Sequence, residues 1–107
     1  MRSSVIGAVL VAGALCLLPA VPVAAGEVIV VKITDMNFSP TTVSAKVGDT
    51  IEWVNDDFID HTATANDESF DLNLPVGKSG RLALTRAGAI AYFCRFHPNM
   101  TGTINVE

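Results

Sequence analysis

Histidine is scarce in this chain. Its 107 residues include two, His61 and His97. A catalytic centre built from several clustered imidazoles would need more. Cysteine is equally sparse, with Cys16 and Cys94 alone. Two such distant thiols, one of them in an apolar leader, exclude a disulfide framework. Basic charge is also short. Seven Lys and Arg face eleven Asp and Glu, a net charge of −4. That balance disfavours nucleic acid or an anionic membrane as partner and favours a basic protein surface. Repeats, linkers and low-complexity segments are missing too, and nothing after residue 25 has a helical pattern of useful length.

The first residues form a distinct segment. Met1 and Arg2 make a short basic start, and Val5 to Leu18 is an unbroken run of apolar and small residues. Pro19 and Pro22 end it, and Val23-Ala24-Ala25 offers small residues to a signal peptidase. This layout is that of a secretory signal over residues 1–25. The apolar run is short of the roughly 20 residues that a membrane span requires. Leu15 is too large for a lipobox before Cys16, so Cys16 is expected to leave with the leader. One domain is expected over 26–107. Losing Arg2 takes its charge from −4 to −5.

Within that domain the residues read as short strands. Glu27 to Ile33 is β-branched, Met36-Asn37-Phe38 alternates before Ser39-Pro40, and Thr41 to Val47 alternates again. Gly48-Asp49 is a turn signal before Thr50 to Val54, where Ile51 and Trp53 face away from Glu52. Asn55-Asp56-Asp57 opens a polar loop. Ser79 to Leu84, Ala89 to Cys94 and Thr101 to Val106 complete the set. Short strands with turn residues between them predict an all-β sandwich.

A lone exported cysteine is an inert buried thiol, half of an intermolecular disulfide, a nucleophile or a metal ligand. Its neighbours narrow the choice. Cys94-Arg95-Phe96-His97-Pro98-Asn99-Met100 reads C-x-x-H-x-x-M, expected as the loop leaving the preceding strand. Thiolate, imidazole and thioether form a soft donor set. A blue-copper site takes two His and one Cys near one plane, with a weak axial Met. The second imidazole is His61. The candidate metal ligands are therefore His61, Cys94, His97 and Met100, and the expected cofactor is one copper ion. Zinc is the chemical rival, but a thioether suits it poorly.

On these residues the chain resembles the cupredoxins, and within them the amicyanin group, with plastocyanin and pseudoazurin more distant. Val47-Gly48-Asp49-Thr50, Trp53-x-Asn55 with five residues before His61, and Ala87-Gly88 with Tyr92 two before Cys94 all fit. The resemblance implies a Greek-key β-sandwich and an exported, periplasmic one-electron carrier rather than an enzyme. It implies the same four ligands, with the ring edge of His97 as electron port. Phe96 and Pro98, with Phe58 or Ile59, would give that port an apolar rim. Redox proteins such as a cytochrome c or an amine dehydrogenase are the implied partners, and a monomer is expected. The alternative is a copper module for delivery, storage or resistance.

The chain departs from amicyanin at Asp60, Thr62 and Arg95, where that group has Pro, Asn and Thr. In the family the counterpart of Asn55 ties the ligand loops together partly through that Thr, so the cross-link needs another route here. The amide of Thr62 remains available to the Cys94 sulfur. Asp60 is expected to favour the more positive oxidised site; Asp56, Asp57 and Asp60 read by default as a solvated acidic loop, with steering of a basic partner as the functional alternative. Intact mass of the exported protein checks the leader. A chain starting at Gly26 is expected, and a retained leader refutes the cleavage.

Overall fold

The computed structural model describes Leu18, Pro19 and residues 26–107. The expected leader therefore lies almost wholly outside the described residues. Nine strands follow: β1 (Val28–Thr34), β2 (Asn37–Ser39), β3 (Thr42–Ala45), β4 (Thr50–Asn55), β5 (His61–Ala65), β6 (Asp71–Leu74), β7 (Ser79–Ala83), β8 (Gly88–Cys94) and β9 (His97–Val106). None of the described residues forms a helix.

Two sheets result, in the orders β2-β1-β4-β7 and β3-β9-β8-β5-β6. Each mixes one parallel pair, β1 with β4 and β3 with β9, into antiparallel neighbours. Alternation along the strands sets the inner faces, as expected from the sequence for β4. Val31 and Ile33 on β1 and Ile51 and Trp53 on β4 are fully buried. They face Val43, Ala45, Tyr92, Ile104 and Val106 from the other sheet, within one apolar core. Burying a large apolar side chain stabilises the fold by about 1.5–3 kcal/mol. Four aromatics centre this core. Trp53 and Tyr92 meet edge to face at 5.3 Å, Phe38 meets Tyr92 at 4.7 Å, and Phe70 lies 5.6 Å from Trp53.

Asp49 closes one end. Its two carboxylate oxygens accept the amides of Glu27 and Lys46, both at 2.9 Å. Those bonds hold its carboxyl below the usual carboxylate range. Gly48 takes the turn beside it at φ 100°, a region that a side chain rarely occupies.

Two features differ from the sequence expectation. The stretch opened by Asn55 contains two strands, β5 and β6, which the polar composition hides. Strand β5 is His61-Thr62-Ala63-Thr64-Ala65, buried at every position. It lies between β8 and β6 with both faces covered, so its small residues show no apolar alternation. The segment after Cys94 is also not an open loop. Arg95 and Phe96 form a two-residue turn, and β9 begins at His97.

Tyr92 lies tightly over its cross-strand partner Gly102 on β9. A Cβ at Gly102 would overlap its ring, and the ring is 1% exposed. Gly102→Ala should therefore cost about 1–3 kcal/mol by overpacking, measured by chemical denaturation. Unchanged stability would mean that the ring shifts freely. Burial also pushes the Tyr92 phenol from 10.0 up to about 12. The unfolded chain ionises first, so stability should fall as pH rises from 10 toward 12. Tyr92→Phe should flatten that fall.

Candidate metal centre

Strand ends bring the chemistry together. His61 opens β5 and Cys94 ends β8, and neither has exposed surface. His97 opens β9 across the turn from Cys94, its direct cross-strand partner. The register jumps there, because Phe93 pairs with Thr101 while Cys94 pairs with His97. Pro98, Asn99 and Met100 thus have no partner on β8, and the bulge re-aims the side chains around them.

The geometry fits one shared ion. Cys94 Sγ lies 3.7 Å from His61 Nδ1 and 3.6 Å from His97 Nδ1. All three ligand atoms lie within 4.8 Å of one another. Bonds of about 2.0 Å to imidazole and 2.3 Å to thiolate, opened by about 120°, would place sulfur and nitrogen about 3.7 Å apart. Met100 is buried, at 5% exposure, three residues along β9. It lines a surface depression with Met36, His97, Pro98 and Asn99.

Buried partners hold the ligands in their donor states. His61 Nε2 is 2.8 Å from Asp57 Oδ2. A carboxylate only accepts, so a ring proton sits on Nε2, which leaves Nδ1, facing the Cys94 sulfur, as the nitrogen to bind a metal. Asp57 also accepts the Met36 amide at 3.0 Å. The His61 bond first, and then that amide, hold its carboxyl below the usual range. Asp57 is thus no steering charge: it is buried, while Asp56 pairs with Lys32 at the surface. The carboxylate in contact with His61 is likewise Asp57. Asp60 instead accepts the Val76 amide at 3.0 Å.

Asn55 is spent locally. Its amide donates to the carbonyls of Ile59 and Leu74, and its oxygen accepts the Asp57 amide. The link between the two ligand segments runs through Thr62. Its amide donates to Cys94 Sγ at 3.3 Å, as expected, and its hydroxyl accepts the Arg95 amide at 2.8 Å. Sequence reasoning missed Asp57 and the Thr62 hydroxyl. The only available signal for Asp57 was the general rule that a ligating His donates its second nitrogen to a carboxylate or carbonyl.

Residues 6–106 match the cupredoxin-like domain family. The chain belongs to the cupredoxin family. It is 36% identical over 97 residues to amicyanin from Paracoccus denitrificans, covering 80% of this chain and 73% of that protein. A purple cupredoxin from Nitrosopumilus maritimus superposes with a TM-score of 0.70 at 24% identity, over 74% of this chain and 99% of that one. A copper-containing nitrite reductase from Thermus scotoductus gives a TM-score of 0.70 at 30% identity. It covers 88% of this cupredoxin, which spans 26% of that enzyme. Copper is the cofactor: the family binds it, and the thiolate, imidazole and thioether donors suit it.

Asp57→Ala removes the partner that orients His61. Copper affinity should fall about 10- to 100-fold, measured by competition against a chelator. Unchanged affinity would show that packing alone orients the ring.

Proposed function

We propose that His61, Cys94 and His97 hold the copper, with Met100 as the weak axial ligand, and that this cupredoxin is an exported single-electron carrier between redox proteins. The supporting observation is a buried thiol facing two imidazole nitrogens, with one of those imidazoles reaching the surface. Copper, cycling between Cu(I) and Cu(II), supplies the one-electron change. The chain supplies a frame in which the ligands need not move. His61 is held by its pairing with Leu74 on β6 and Cys94 by its pairing with His97 on β9, and the Thr62 amide steadies the sulfur. The Asp57 carboxylate sets a negative charge against His61, which favours the more positive oxidised state.

Half-buried His97 is the port for the electron. Phe96, half exposed, precedes it, and Pro98 and Met36 lie beside it. Such a rim suits brief docking over a small area, below about 1,200 Å². The acidic net charge suits a basic partner such as a cytochrome c, with an amine dehydrogenase as the other partner class. Both histidines are used at this one centre, which leaves none for a catalytic copper site, so a carrier is favoured over an enzyme. Export to the periplasm rests on the leader over 1–25, cleavage of which would leave the domain 26–107, acting as a monomer. No helix among the described residues is long and apolar enough to cross a membrane.

Visible and electron paramagnetic resonance spectra of the copper-loaded protein test this reading. An intense blue thiolate-to-copper band with a narrow hyperfine splitting is expected, and Cys94→Ser should abolish the band. A colourless Cu(II) form overturns the site. Ready copper transfer to an acceptor, with slow electron exchange, overturns the carrier role.

A further inference from the structure

Arg95 and Thr62, two positions where this chain leaves the amicyanin pattern, meet in one closed set of hydrogen bonds. The Arg95 amide donates to Thr62 Oγ1 at 2.8 Å. Thr62 Oγ1 lies 2.9 Å from Thr64 Oγ1, and Thr64 Oγ1 donates to Asp71 Oδ1 at 2.7 Å. The Arg95 side chain returns to the same oxygen, with Nε 3.0 Å from Asp71 Oδ1. A further donor, Arg95 Nη2, reaches Asn73 Oδ1 at 2.8 Å. The strand register explains the closure. Thr62 stands opposite Asn73 and Thr64 opposite Asp71, so one guanidinium spans both partners.

The direction of every bond follows from the donor inventory. The Asp71 carboxylate only accepts, so the single Thr64 proton goes to it. Thr64 must then accept from Thr62, whose own oxygen already accepts the Arg95 amide. All donors run toward Asp71, and no member can reverse alone. One arm of this ring is fixed in β5 at Thr62, whose amide donates to Cys94 Sγ. The other arm is fixed at Arg95, bonded covalently to Cys94. Thr62 is fully buried, whereas the Arg95 side chain is 39% exposed and that of Asp71 51%.

We propose that Thr62, Thr64, Asp71 and Arg95 form a positioning ring that holds the Thr62 amide on the Cys94 sulfur and so sets the reduction potential of the copper centre from the protein surface. The potential part rests on the copper site proposed above; the clamp part does not. An N–H donating to a thiolate draws electron density from the sulfur and favours the reduced ion. Loosening the ring therefore lowers the potential and moves the thiolate-to-copper band to lower energy.

Thr64→Val tests this, because it removes the central hydroxyl without changing charge or, to a first approximation, size. In the metal-free protein, amide hydrogen exchange at Thr62 should speed up several-fold. In the copper-loaded protein, the potential should fall and the band should shift to the red. Asp71→Ala, at the surface, removes the shared acceptor and is the second variant, so the clamp remains testable if Thr64→Val folds poorly. It too should speed exchange at Thr62. Unchanged Thr62 exchange in both variants overturns the clamp. Faster exchange with an unchanged potential in Thr64→Val overturns the tuning. A wild-type protein without a blue band would instead refute the copper site, while the exchange measurement still decides the ring.

Discussion

The Cys94 sulfur has no exposed surface, and it sits where two sheet pairings converge. Strand β8 carries it, β5 presents the Thr62 amide 3.3 Å away, and β9 starts across a two-residue turn. A buried thiolate is costly unless donors face it. Here an amide and an anticipated metal ion are its compensation. The remainder of the site follows from keeping that sulfur in place. His61 faces it because β5 lies beside β8 in the sheet, and His97 because it pairs with Cys94 across the two-residue turn.

Polar groups near the centre are organised in two directions. On the inner side, Asn55 and Asp57 brace His61, with Asn55 holding the loop and Asp57 holding the ring. On the outer side, Thr62, Thr64, Asp71 and Arg95 brace the sulfur. Each buried polar atom in these networks has a partner, which is what makes a polar cluster rigid rather than a source of instability. The aromatic core offers a contrast. The Trp53 indole nitrogen and the Tyr92 hydroxyl are buried without partners. There, packing against Gly102 and the neighbouring rings, not hydrogen bonding, holds the side chains.

The same scaffold explains why so few residues are enough. A domain of this size has a thin core, and a metal centre at one end adds a further tie. Three of the four candidate ligands stand at strand ends and Met100 in the unpaired stretch of β9, so the sandwich can keep its alternating core while its rim does chemistry. The copper-containing nitrite reductase that shares this fold shows the same unit as a fraction of a larger chain.

The sequence by itself determined the chemistry and the class of fold. One cysteine beyond the expected leader, two histidines and a C-x-x-H-x-x-M spacing have few joint explanations, and alternation in β4 and β9 is a local property that pairing merely uses. Strands β5 and β6 were not legible, because a strand covered on both faces by neighbours needs only small residues, and Thr and Ala carry no periodic signal. Asp57 was not legible either. It reads as one acid among three in a polar loop, and only the fold buries it while leaving Asp56 and Asp60 at the surface. The hydrogen-bonded ring from Arg95 to Asp71 joins residues 24 positions apart. Spacing along a chain cannot show which side chains strand register places opposite each other, so the tertiary structure alone decided what surrounds the site.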